Sequence, residues 1–394
     1  MTSSEQEEPD AANGQMPSAR NRNTQSRLTR RRLIALVVAV VVIAAGLVSV
    51  TVLKPSPDKV MIGVIIPQDE GIVSHSEEVK SAVRMAMDEL NAWGGIGNTR
   101  LEMVVAEIPE DSEMLAETFD EMERTHHPLA YVTISCTFLT AMAPLAEAVS
   151  APLIGLSSFP GALSDYQFAY RYNIPVESEV SSTMAIMEHL NVSSIGMLYT
   201  ESPRGCTLHD AFEAEFLAAG GSVQPQPCAV DQTDFDAEVA NLTGNPAIFA
   251  VSTCGSLALM FEAIVENGYE GPVVASSCAS SAFFWDLEAA NGVYVSAPLL
   301  YKQENILARA FAEDFRQTYG ISVTHHGAVA YDIVHLVHGL LEGKEVTRSS
   351  LEHELSQGFI FTGIMGSMTI APGEHDFGFN VYPAMIVEGE LLYL

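Results

Sequence analysis

Five short runs could do the chemistry of binding, and four of them are built of small hydroxyl or thiol residues. They are Ser135-Cys136, Ser157-Ser158-Phe159, Thr200-Glu201, Ser252-Thr253-Cys254 and Ser276-Ser277-Cys278. Hydroxyls and thiols donate and accept hydrogen bonds without carrying charge. Each run follows an apolar stretch, so each falls at the carboxyl end of an expected strand. Ligands of open α/β sheets bind beyond those ends. Ser and Thr also cap helices, so each run taken alone has two readings, cap or ligand contact. Their recurrence in both halves of the chain is what points to a cleft.

Catalytic patterns are missing. No G-x-S-x-G elbow, P-loop or H-E-x-x-H occurs, and the chain reads as a non-enzyme without a cofactor. His335 and His338 lie three apart on an apolar stretch, and His325-His326 precede them. Their two readings are a metal site and partly buried or surface histidines; no metal site is expected.

The elements that would position these runs alternate. Lys59 to Ile66 is short and β-branched, the mark of a buried strand. Val79, Ala82, Val83, Ala86 and Leu90 then share one helical face. Strands follow near 101–106, 130–134, 152–155, 193–199, 222–226, 247–251, 272–275 and 292–297. Helices near 111–125, 139–149, 179–189, 207–219, 255–267 and 304–318 separate them. Parallel strands need such crossovers, so the alternation predicts an α/β fold with parallel sheets. Two lobes suit the length better than one large sheet.

The first part of the chain differs in kind. Residues 1–32 are polar and read as a disordered cytoplasmic tail ending in Arg27, Arg30, Arg31 and Arg32. Leu33 to Leu53 is 21 residues without a charge, long enough to span a bilayer. A cleaved signal peptide is the rival reading. The arginines place the tail in the cytoplasm and everything after about residue 54 outside it. The tail carries six Arg and four acids, so removing its +2 from the total of −31 leaves −33 on the remainder. That charge repels nucleic acid; it suits either a cationic ligand or simple solubility.

The sequence also resembles a known family, the type I periplasmic binding proteins, in their leucine/isoleucine/valine-binding branch. Ile62-Gly63-Val64-Ile65-Ile66-Pro67 is similar to the family's first strand. Ala86-Met87-Asp88-Glu89-Leu90-Asn91-Ala92-Trp93-Gly94-Gly95-Ile96 is similar to its first helix and the turn that closes it. Ala143-Pro144-Leu145-Ala146-Glu147 with Pro152-Leu153-Ile154 matches a later helix and strand, and Tyr331-Asp332 and Phe361-Thr362-Gly363 match late landmarks.

The resemblance implies two doubly wound lobes joined by three crossovers: 59–175 with 300–371, and 176–299 with 372–394. It places the ligand against Ser135, Cys136, Ser157, Ser158 and Phe159 of the first lobe. In the second lobe it points to Arg204, Thr253, Cys254 and Ser277. Here the chain departs from the family. Arg204 stands where an aromatic belongs, and Ser277 where an acid pairs with the ligand's ammonium. Asp69, Glu70 or Glu201 could supply a substitute carboxylate. Arg204 is open to two readings, a bidentate partner for an anionic ligand or a solvated loop residue. Lobes of strand order 2-1-3-4-5 would put Cys206 beside Cys228 and Cys254 beside Cys278, two disulfides with Cys136 left free; five reduced thiols are the alternative.

The function implied is an extracytoplasmic solute-binding protein that closes on a small polar ligand, an amino acid or related metabolite, and delivers it to an ABC permease. A ligand-sensing receptor of the same fold and a structural surface protein without ligand remain as alternatives.

Overall fold

The structure, a computed structural model, describes residues 59–68, 75–109, 112–157, 163 and 165–394. The expected tail at 1–32 and apolar span at 33–53 lie outside the described residues, as do Asp69, Glu70, Ser158 and Phe159. Among the described residues no helix is long and apolar enough to cross a membrane.

Two sheets organise the chain. The first begins with β1 (Lys59–Pro67), α1 (Ser76–Ala92), β2 (Arg100–Ile108), α2 (Ser112–His126), β3 (Ala130–Thr133), α3 (Cys136–Ala148), β4 (Leu153–Leu156) and β5 (Ala169–Asn173). The second begins with α4 (Val176–Leu190), β6 (Ser194–Thr200), α5 (Pro203–Ala218), β7 (Ser222–Cys228), α6 (Asp236–Leu242), β8 (Ile248–Val251), α7 (Cys254–Glu266), β9 (Val273–Ala275) and β10 (Tyr294–Pro298). The chain then makes α8 (Ile306–Tyr319), α9 (His325–Leu341), α10 (Arg348–Ser356) and a hairpin of β11 (Phe359–Gly363) and β12 (Gly366–Ile370). It ends in β13 (Asp376–Gly378), β14 (Val381–Val387) and β15 (Glu390–Tyr393).

The strand orders are β2-β1-β3-β4-β5-β13 and β7-β6-β8-β9-β10-β14-β15. Each contains the 2-1-3-4-5 winding expected, and all pairs within that winding are parallel. Beyond it, β14 pairs antiparallel with both β10 and β15. Both faces of each sheet are covered, which is why β1 reads as a nearly continuous apolar run. Ile62, Val64 and Ile66 face one apolar cluster, Ile65 another. In the second sheet Leu198 and Met197 divide in the same way.

Sequence signals explain the local endings. Helix α1 stops at Gly94 and Gly95, both at positive φ (109° and 75°). Gly95 donates its N–H to the Leu90 carbonyl, and a Cβ there would lie 2.0 Å from the Thr99 carbonyl oxygen. Tyr331-Asp332 and Phe361-Thr362-Gly363 meet in space. Asp332 is buried and accepts the Ile364 and Met365 N–H groups at 2.9 and 3.1 Å, joining α9 to the hairpin. Burial pushes its carboxyl up to about 6, opposed by those two backbone hydrogen bonds.

The chain passes between the sheets after β5, β10 and β13. The last passage corrects the expected boundary at 371/372, because β13 still pairs with β5 (Asp376 with Arg171). Three residues are too few for a local apolar alternation to mark a strand. The passages lie close together. Phe379 donates its N–H to the Asn173 carbonyl at 3.2 Å, and Val381 donates to Ser178 Oγ at 3.0 Å. Glycine is needed at 378, where a Cβ would stand 2.3 Å from that same Asn173 oxygen.

Candidate functional site

A cavity of ≈ 270 Å³ lies where the strand ends of the two sheets meet. Cys136, Leu156, Ser157, Asn173 and Ile174 line it from the first sheet. Ser202, Arg204, Val251, Ser252, Thr253, Cys254, Ser277 and Cys278 line it from the second. His75, His325 and His326 complete the wall. Ser135 is placed differently: it caps α3, its Oγ accepting the Phe138 N–H at 3.2 Å, and it does not line the cavity. Of the acids expected to replace the family's carboxylate, Glu201 is exposed and not in the wall.

Arg204 is a built-in residue of α5 and not a solvated loop arginine. Ser202 caps that helix, accepting the Gly205 N–H at 3.0 Å, and Pro203 starts it, as proline favours. The guanidinium turns inward. Its Nη2 bonds to Glu179, whose side chain is fully buried, and to Ser277 Oγ at 3.2 Å. Glu179 Oε1 also accepts the Ser277 N–H at 2.6 Å. One carboxylate thereby ties the head of α4, the head of α5 and the turn after β9 into one unit. Arg204 Nη1 is buried without a hydrogen-bond partner. Such an orphan donor costs roughly 1–3 kcal/mol, more when charged.

The three histidines were not expected to lie together. His75 immediately precedes α1, and His325 and His326 open α9. The His75 and His326 rings stack with centroids 3.9 Å apart, and His325 and His326 are 4.1 Å apart. Glu78 sets this arrangement. It is buried, and its Oε1 accepts the N–H groups of Thr324 (2.6 Å) and Gly327 (2.8 Å). A carboxylate at a helix N-terminus is favoured by the aligned peptide dipoles. Burial, then the charges of His75 and Arg204, push His325 down to about 3. Burial and its two histidine neighbours hold His326 well below the usual range. His325 and His326 are therefore uncharged rings at neutral pH.

One of the two expected disulfides is present. Cys254 and Cys278 are bonded, fastening the first turn of α7 to the turn after β9 in the cavity wall. Cys206 and Cys228 are not bonded to each other. Their strands are adjacent as expected, with Thr200 opposite Cys228. The faces differ: Cys228 packs with Leu198 and Phe235 on one side of the sheet, whereas Cys206 belongs to α5, whose Leu208, Phe212 and Phe216 pack with Met197 on the other. Successive strand residues point to opposite faces, so the sheet separates the thiols.

Two wound α/β lobes with a cavity between their strand ends define a two-lobed binding protein. The chain belongs to the periplasmic binding protein family, whose model matches residues 59–390. That family is non-enzymatic, and so is this chain. No curated protein matches it. Among solved structures it is similar to a leucine binding protein from Thermotoga maritima (19% identity, TM-score 0.74, covering 85% of this chain and 97% of that one). It is also similar to a solute binding protein from Rhodopseudomonas palustris BisB5 in complex with 3,4-dihydroxy benzoic acid (16%, 0.75, 86% and 96%). A third is a substrate-binding protein from Desulfitobacterium hafniense in complex with Leu (22%, 0.70, 85% and 100%). At these identities the likeness is one of fold.

Glu179 and His75 were not singled out in the sequence, and His325 and His326 were noted there without their place in the cavity wall. Glu179 carried a usable signal: it sits with Val180, Thr183 and Met187 on the buried stripe of α4, where an acid demands a partner. The meeting of His75 with His325 and His326 had no comparable signal, because it is made only by the packing of α9 on α1.

Proposed function

We propose that this chain is an extracytoplasmic solute-binding protein that closes around a small polar ligand, an amino acid or related metabolite, and delivers it to an ABC permease. One observation carries the reading: the cavity takes its walls from both lobes, Ser157 and His325 on one side, Arg204 and Ser277 on the other. A ligand held on both sides draws the lobes together about the passages near Asn173 and Gly378. The ligands in the similar structures, leucine and 3,4-dihydroxy benzoic acid, are of a size that suits a cavity of ≈ 270 Å³. Ser157, Ser158, Phe159, Cys136, Arg204, Thr253, Cys254 and Ser277 are the contacts we assign, and residues 33–53 are the tether that keeps the binding lobes at the membrane.

The test is a thermal-shift screen of the full chain against a metabolite library. A true ligand at about 100 times its dissociation constant adds roughly 2.7 kcal/mol of stability. A chain that no small molecule stabilises is not a solute receptor. Fractionation of expressing cells tests the tether, which requires the protein to sediment with membranes.

A further inference from the structure

Arg204 and Glu179 decide which charge a ligand can bring. Glu179 is a buried carboxylate bonded to two residues of the second-lobe wall, and both its oxygens are taken, Oε2 by Arg204 and Oε1 by the Ser277 N–H. Among the described residues no Asp or Glu lines the cavity. The facing wall holds His75, His325 and His326; the His75 and His326 rings stack and the His325 ring lies tilted beside them, giving an aromatic surface. Arg204 lines the cavity, and its Nη1 has no partner. Among the described residues a protonated amine entering this space meets a guanidinium, three imidazoles and no carboxylate in the wall, whereas a carboxylate meets the cationic Arg204.

Resting on the solute-binding reading above, we propose that the ligand is a small organic acid without an ammonium group, its carboxylate held by the Arg204 guanidinium and its body lying against the histidine wall. Glu179 is then a positioning residue. It holds the guanidinium in place and is not the acceptor of a ligand amine.

Matched probes separate the two roles. Leucine and phenylalanine, their 2-oxo acids, and the corresponding amines, with benzoate, are titrated calorimetrically into the full chain in detergent. The acids are expected to bind at least roughly 30-fold more tightly than the amino acids, the scale of one charge-assisted hydrogen bond without an opposing ammonium penalty. The amines are expected to give no binding heat. Arg204→Met should weaken the acids by about the same factor, whereas Glu179→Gln should retain them. Melting of the unliganded variants reports whether each is folded, and the wild-type series decides the matter without them.

An amino acid that binds more tightly than its 2-oxo acid, and is lost in Glu179→Gln, overturns the proposal and leaves the solute-binding reading intact. So does a ligand from the metabolite screen that carries no carboxylate. If neither these probes nor that screen yields a ligand, both the proposal and the reading beneath it fall.

Discussion

Glu179 at the head of α4 and Arg204 at the head of α5 form a buried ion pair in the wall of the interlobe cavity. The carboxylate is fully buried and the guanidinium side chain only 18% exposed. Removing one partner leaves the other charged and poorly solvated. Arg204→Met is therefore expected to lower unfolding stability by about 3 kcal/mol, near the lower edge of the range for broken buried pairs. Urea denaturation measures it. A loss below about 0.5 kcal/mol, the scale of a surface substitution, would mean that the pair is solvated after all.

Closing the loop between Cys254 and Cys278, 24 residues apart, should contribute about 3 kcal/mol on the chain-entropy account. Cys254→Ser with Cys278→Ser should lower the melting point accordingly. Peptide mapping without reductant should recover this one link, with Cys136, Cys206 and Cys228 alkylated. Recovery of a Cys206–Cys228 peptide contradicts the placement of those thiols on opposite faces.

The cysteines also show how far sequence reasoning reaches. Strand adjacency followed from the winding order, because β-branched runs such as Lys59–Pro67 and the helices between them are local patterns. Adjacency was enough for Cys254 and Cys278, which both sit beyond strand ends. It failed for Cys206 and Cys228, where the side of the sheet decides. The hydroxyl-lined strand ends were legible for the same local reason. The histidine wall was not, since His75 and His326 are brought to 3.9 Å by tertiary packing. The inward turn of Arg204 was hidden too: it depends on Glu179, 25 residues earlier.

His325 should make the protein sensitive to acid. Its folded value is pushed down from 6.5 to about 3, so its contribution is fully present above about 6.5 and is lost as the pH falls towards 3. In a His325→Gln variant that dependence should shrink. The check is chemical denaturation of both proteins from pH 7 to pH 4, where the gap between them should narrow as acid is added. A gap that stays constant means that His325 titrates normally.

Asp332 works in the opposite direction. Its folded value is raised from 3.8 to about 6, so its contribution is fully present below about 3.8 and is lost as the pH rises through 6. Asp332→Asn cannot accept both the Ile364 and Met365 N–H groups as the carboxyl does. It should be destabilised by an amount on the order of 2 kcal/mol at pH 4, and by less at pH 7. Denaturation at the two pH values tests the sign; a larger loss at pH 7 reverses it.

The central claim is that two lobes close on a ligand held between Arg204 and the histidine wall. Small-angle X-ray scattering of the full chain in detergent, with and without a saturating ligand from the metabolite screen, addresses it directly. The account predicts a smaller radius of gyration and a shorter maximum dimension in the liganded protein. Identical scattering curves, with binding verified in the same sample, would contradict closure.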